Sequence, residues 1–245
     1  MTLRIAMWSG PRNISTAMMR SFSSRPDCFV SDEPYYGAFL RHTGADHPMA
    51  GEVIASMDTD WVSVTAFLSG DAPDGSPVWY QKHMSHHMVG PVAPDDLTGV
   101  SHAFLIRDPA RMAASYARKR EAMTAADLGL GVQRAFFDRE CDRLGHAPPV
   151  IDAADVLADP AATLAALCAA LGIGWTETML HWPAGRYAED GVWASHWYGR
   201  VEASTGFEPP EAADPSPVDN RLKAVAAACA DDYHHLARHR LRNRP

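Results

Sequence analysis

The sequence predicts an α/β fold: one three-layer domain with a mostly parallel central sheet and helices on both faces. Three observations carry this. Short apolar runs of strand type alternate with helical segments along the chain. Those runs are apolar almost throughout, as strands covered on both faces must be. The 245 residues, 47% hydrophobic and 21% charged, can build a sizeable core without disulfide support. At about 150 residues per domain the length permits one domain or two. No internal repeat separates two halves, so a single domain over residues 1–245 is expected.

Leu3–Trp8 (LRIAMW) is the first strand. Ser9-Gly10-Pro11-Arg12-Asn13 then turns the chain into a helix over Ser15–Ser23, where Ala17, Met18 and Phe22 have helical spacing and Ser15 or Thr16 can cap. Cys28–Ser31 is the second strand, ending in the turn Asp32-Glu33-Pro34. Residues 41–50 are polar and marked by Gly and Pro, a surface loop. Trp61–Leu68 fits a helix, although its Val and Thr residues leave a strand open. Pro77–Gln81 is the third strand and Gly99–Ile106 the fourth. Pro109 opens a helix with Met112, Ala113 and Tyr116 on one face. A longer helix spans 125–144, and Pro149–Asp152 is the fifth strand. Asp159-Pro160 starts the clearest helix, which Gly172 stops. The aromatic region 182–207, with Trp182, Trp193 and Trp197 among Gly, Pro and His, is expected as a long ordered loop: a substrate wall, or packing over the sheet edge. Residues 209–217 (PPEAADPSP) form a spacer, and 222–241 a terminal helix whose arginines, Arg238 to Arg244, are solvated.

Twenty-two Lys+Arg against 30 Asp+Glu give a formal charge of −8, which argues against a general nucleic-acid coat. Nineteen of the basic residues are Arg, the better fork for oxyanions. Cys28, Cys141, Cys168 and Cys229 lie far apart without metal-finger spacing and fit small packing side chains. No signal-peptide pattern and no run of 18 apolar residues occurs. A cytoplasmic protein is expected, a monomer or homodimer, with neither nucleic acid nor membrane as partner.

The main chemical signal is the order strand, Ser9-Gly10-Pro11-Arg12-Asn13-Ile14-Ser15-Thr16, helix. The free N–H groups and dipole of a helix's first turn favour an anion, and Ser15, Thr16 and Arg12 add hydroxyls and a charged fork. An ordinary turn and cap is the alternative. Neither G-x-x-x-x-G-K-[ST] nor G-x-G-x-x-G is present, so the loop lacks the Lys of nucleotide hydrolases. The second signal is Phe104-Leu105-Ile106-Arg107-Asp108-Pro109, with Ser115 eight residues after Arg107. Arg107 falls at a strand end, on the same sheet edge as Arg12. It can hold a second phosphate with Ser115, or pair with Asp108.

Together SGPRNIST and FLIRDPARMAASY resemble the two cofactor segments of the sulfotransferase family. The resemblance implies a P-loop-like fold, related to the P-loop nucleotide hydrolases. It also implies sulfuryl transfer from 3'-phosphoadenosine-5'-phosphosulfate (PAPS) to a hydroxyl or amine of a small-molecule acceptor, with PAP as product and no metal. It assigns Arg12, Asn13, Ile14, Ser15 and Thr16 to the 5'-phosphosulfate, Ile14 standing where the family commonly has Gly. It assigns Arg107 and Ser115 to the 3'-phosphate. VIDAADVLADPAATLAALCAALGI resembles a later family segment through Asp155, Asp159, Pro160 and Leu164, with Ala154 in place of the usual Glu, so the resemblance spans about residues 3–173. The family's glycine-rich basic loop has no clear counterpart, and Arg186 and Arg200 are candidate substitutes.

Sulfuryl transfer needs charge stabilisation, for which Arg12 is placed, and a base. Tyr80-Gln81-Lys82-His83-Met84-Ser85-His86-His87 follows the third strand, and histidine's ordinary pKa of about 6.5 suits proton abstraction. His83, nearest the strand end, is the expected base, with His86 and His87 as alternatives. Glu33 is the other candidate, since some family branches place a Glu or Glu-Pro near the acceptor. A zinc set built on His83 and His87 lacks an acidic or Cys partner at close spacing. Two other functions stay open: a non-catalytic sulfotransferase-like nucleotide-binding protein, and a small-molecule kinase or other P-loop phosphate enzyme.

Overall fold

Five strands lie in one sheet: β1 (Leu3–Ser9), β2 (Cys28–Asp32), β3 (Val78–Met84), β4 (Val100–Ile106) and β5 (Val150–Asp152). Their order is β2-β3-β1-β4-β5, and every pairing is parallel. The structure is a computed structural model that describes residues 2–93, 96–117, 123–209 and 219–242. The helices, in chain order, begin with α1 (Ser15–Ser23), α2 (Tyr36–Thr43), α3 (Ala50–Ser56), α4 (Trp61–Leu68), α5 (Pro109–Ala117), α6 (Ala125–Leu128) and α7 (Leu130–Leu144). After β5 come α8 (Ala153–Ala158), α9 (Pro160–Leu171), α10 (Ala194–Trp197), α11 (Gly199–Glu202), α12 (Asn220–Ala228) and α13 (Ala230–Ala237).

Strand alternation divides the core into two layers. Ile5 and Met7 of β1 pack with Met18, Met19 and Phe22 of α1 and with Leu164 and Leu167 of α9. Ala6 and Trp8 face the other way, toward α2, α4, α5, α7 and α13 through Tyr36, Leu68, Met112, Phe136 and Leu236. β1 therefore leads into a helix on one face, while β4 leads into α5 on the opposite face. Where successive connections diverge like this, a crevice opens beyond the carboxyl ends of the strands.

The α/β architecture agrees with expectation, and several elements differ in extent. β3 runs three residues past Gln81, because its ladder with β1 continues to Ser9↔Met84 and the Ser9 hydroxyl donates to the His83 carbonyl at 3.1 Å. Lys82 and His83 therefore lie within the strand. Residues 41–50 are less of a loop than expected, since α2 takes them to Thr43 and α3 begins at Ala50. The helix over 125–144 breaks at Gly129, whose φ of +71° closes α6 and opens α7. The terminal helix is two, α12 and α13; after it Leu241 N–H donates to the Val150 carbonyl at 2.8 Å, covering the β5 edge. Asp159 caps α9 through Ala162 N–H, and Gly172 ends it at φ +73°, as the sequence indicated. All four cysteines are free thiols. The spacer from 210 onward and Arg244 lie outside the described residues.

The aromatic region is folded against the domain. It carries α10 and α11, and Trp182 and Trp193 are buried. Its main anchor is ionic: Arg20, on α1, meets Asp190 at 2.5 Å with both side chains buried, and its guanidinium lies 3.7 Å from the ring centre of Tyr187.

Candidate active site

Gly10 begins the turn after β1 because nothing larger fits. A Cβ there would stand 2.3 Å from the Leu128 carbonyl oxygen. Arg12 and Ile14 then adopt left-handed backbone, φ +60° and +64°. Ile14 occupies the N-cap position of α1 and offers no side-chain cap, so Ser15 and Thr16 are the first residues of the helix rather than its cap. No acidic residue stands in the first turn, which leaves the positive helix end without a carboxylate of its own. Loops of this conformation form anion-binding concavities.

The two loops of the crevice are tied together. The Asn13 amide donates to the Leu105 carbonyl at 2.8 Å, and Gln133 donates to the same oxygen at 3.0 Å and to that of Trp8 at 2.9 Å. Arg107 donates to the Arg12 carbonyl, and Arg12 Nε donates to the Ser115 hydroxyl at 3.1 Å. Two guanidinium groups and a hydroxyl thus share one wall with the α1 N-terminus. All of them line a single cleft of about 900 Å³.

Another part of the same cleft wall is formed by a buried charge cluster. Lys82 Nζ donates to Asp32 Oδ1 at 2.7 Å, Glu33 Oε1 at 2.7 Å and the Tyr198 hydroxyl at 2.5 Å, which uses its three N–H bonds. The Tyr198 hydroxyl donates in turn to Asp32, 2.8–2.9 Å from both carboxylate oxygens, and receives Trp193 Nε1–H at 3.2 Å. Lys82 and Asp32 are 1% exposed, whereas Glu33 is 12% exposed and faces the cleft. Its φ of +46° is unusual for a residue with a side chain, a strain held by Glu33 N–H on the Lys82 carbonyl and by Tyr36 N–H on the Glu33 carbonyl. Burial and then the nearby Asp32 push the Glu33 carboxyl above the usual range, against the pull of Lys82. Asp32 and Glu33 hold Lys82 well above its usual value although burial acts the other way.

A sulfotransferase-domain family model matches residues 3–236. The chain belongs to that family. Three solved structures share the fold: the sulfotransferase domain of the Synechococcus PCC 7002 olefin synthase (17% identical, TM-score 0.55, covering 94% of each chain), the sulfotransferase domain from the curacin biosynthetic pathway (14%, 0.52, covering 94% of this chain and 98% of that one) and a sulfotransferase from Alicyclobacillus acidocaldarius (14%, 0.55, covering 99% and 98%). Two Arabidopsis thaliana proteins, branched-chain-amino-acid aminotransferase-like proteins 2 and 1, are 36% and 38% identical over 84% of this chain. The chain spans little more than a third of the length of either.

In this sulfotransferase domain the residues singled out from sequence separate into two groups. Arg12, Asn13, Ile14, Ser15, Thr16, Arg107, Ser115 and Glu33 all line the cleft, as do His86, His87 and Arg200. The Arg12 guanidinium lies against Ser115, so the expected division between a 5' residue and a 3' pair is blurred: all three share one wall. The Asn13 amide is committed to the loop tether. Arg186 donates to the Gly191 carbonyl at 3.4 Å and does not line the cleft.

His83 is absent from the lining, a correction to its expected place. As a strand residue next to Lys82 it points to the opposite face, 1% exposed, stacked on Trp8 at 4.4 Å with Nε2 3.3 Å from Gln81 Oε1. Burial, then His102, pushes its pKa down to about 3. Lys82 and Tyr198 carried no expected role. Lys82 follows from alternation once β3 is extended, while nothing local marks Tyr198, 116 positions away from the lysine it touches. Among the described residues no group of three or more His, Cys, Asp or Glu is arranged to hold a metal, and no helix is long and apolar enough to cross a membrane.

Proposed function

We propose that this domain transfers a sulfuryl group from PAPS to a hydroxyl or amine of a small molecule, with Glu33 as the base. The observation that carries the reading is one cleft in which an all-donor anion wall and a buried, lysine-bound carboxylate both open. The donor set suits the cofactor: helix-end N–H groups, two guanidiniums and a hydroxyl, with no carboxylate in the first turn of α1. The α1 N-terminus with Ser15 and Thr16 would hold the 5' side, and Arg107, Ser115 and Arg12 the 3'-phosphate. When bound, PAPS supplies the sulfuryl group and a phosphate leaving group. Glu33 takes the acceptor's proton, its raised pKa bringing it nearer to the operating pH. The helix end stabilises negative charge that builds on the leaving 5'-phosphate.

Calorimetry with PAP, AMP and Mg-ATP in parallel tests this. PAP should bind tighter than AMP by about 2 kcal/mol, the worth of a charge-assisted contact to the extra phosphate. Mg-ATP binding tighter than PAP would overturn the reading in favour of a kinase. PAP binding without sulfuryl transfer to any acceptor in a broad amine and alcohol panel would leave a nucleotide-binding protein.

A further inference from the structure

The cluster behind Glu33 contains more than the base needs to be held in place. Glu33 Oε1 takes one Lys82 N–H, and the other two N–H bonds go to Asp32 and Tyr198. Asp32 is 1% exposed, too deep to touch an acceptor, yet it receives the Tyr198 hydroxyl and the Gly191 N–H at 3.3 Å as well. We propose that Asp32 is a positioning residue that compensates the charge of Lys82, so that Glu33 can accept a proton without leaving a buried cation unbalanced, and that Tyr198 holds Asp32 and tempers its charge.

The charge count explains the arrangement. With Glu33 ionised the cluster carries Asp32⁻, Glu33⁻ and Lys82⁺, a net −1. When the proton leaves the acceptor oxygen or nitrogen for Glu33, the O–H or N–H pair stays with the acceptor and the cluster becomes neutral. Without Asp32, that same transfer would leave Lys82⁺ alone in a buried site, which opposes proton uptake. Tyr198 keeps Asp32 in place from the 191–198 segment, with Trp193 bonded to its hydroxyl. The other ionisable groups lining the cleft include Tyr36, His47, His86 and His87, and the guanidiniums of Arg12, Arg107 and Arg200. His87 is held neutral by burial and by His86, so it adds no charge to the balance.

This inference rests on Glu33 as the base, and its test is kept separate from that reading by titrating the carboxyl itself. Glu33 is followed by carbon-13 NMR in the full chain labelled at glutamate Cδ, and assigned with Glu33→Gln. Asp32→Asn should lower the Glu33 midpoint by about one pH unit, since a repelling charge is lost and Lys82 is shared no longer. Tyr198→Phe should move it upward, because the hydroxyl that draws on the Asp32 charge is gone and Asp32 repels the Glu33 carboxylate more strongly. Opposite shifts support charge compensation; a loss of packing would not produce them. If both variants melt within a few degrees of the parent and neither moves the midpoint, the proposal is wrong. Should Asp32→Asn fail to fold, a Tyr198→Phe midpoint that is unchanged or lowered overturns it alone. Failure of the parent to bind PAP would count against the sulfotransferase reading and leave these shifts interpretable.

Discussion

At the scale of single residues, neighbours on one strand have opposite fates. Lys82 enters the cleft and His83 enters the core, because successive strand side chains point to opposite faces. The histidine-rich run was legible as chemistry, but its face depended on where β3 ended, and that end is fixed by pairing with Ser9 rather than by any local signal. Arg107 and Ser115 were legible because one follows the end of an apolar strand and the other falls within the helix that Pro109 opens. Arg107→Ala should weaken PAP by about 2 kcal/mol in calorimetry and change AMP much less, since only PAP carries the 3' group. Glu33→Gln should cost about 10²-fold or more in turnover and leave PAP affinity nearly intact. Its loss of rate sits in kcat, so single-turnover kinetics with bound cofactor would show it directly.

At the scale of elements, the sequence revealed the strand–loop–helix order but not why the loop holds its shape. A Cβ on Gly10 would meet the Leu128 carbonyl as well as the end of the Met112 side chain, so moving the side chain alone does not make room for Gly10→Ala. It should destabilise the fold by about 1–3 kcal/mol, the usual cost of overpacking, as read from denaturant unfolding. Ile14 shows the opposite situation. Its φ of +64° is a conformation glycine adopts without strain and a β-branched residue rarely does. α2, α3 and α8 escaped notice because each is short, eight residues or fewer, and too brief for helical periodicity to stand out. The breaks at Gly129 and Cys229 escaped for a related reason. The apolar spacing continues across them, and only the backbone turns.

At the scale of the whole molecule, burying imidazoles makes stability depend on pH. His83 titrates near 3 and His87 well below its usual 6.5, burial being the main cause in both. Folded pKa values depressed below the unfolded 6.5 mean that the unfolded chain binds protons first. Stability is therefore complete above about pH 6.5 and is lost as pH falls toward 3, at about 1.4 kcal/mol per pH unit for each histidine once the unfolded side chain is protonated. Tm measured from pH 7.5 to 4 should fall along that slope, and His83→Phe, which keeps a ring on Trp8, should flatten it. The α/β class was visible from afar, because a sheet covered on both faces writes itself as apolar runs. The joining of residues 20 and 190 was not, since no pattern links positions 170 apart. That buried pair has a consequence for how such domains diversify. Arg20 belongs to the helix whose other end forms the anion wall, and Asp190 belongs to the segment that delivers Trp193 and Tyr198. A wall grafted from a different chain without an acid at 190 would strand a guanidinium in the core, and importing the matching helix would import a new anion wall with it. The two walls of the cleft are therefore joined through one buried ion pair, and exchanging either alone leaves a charge buried without its partner.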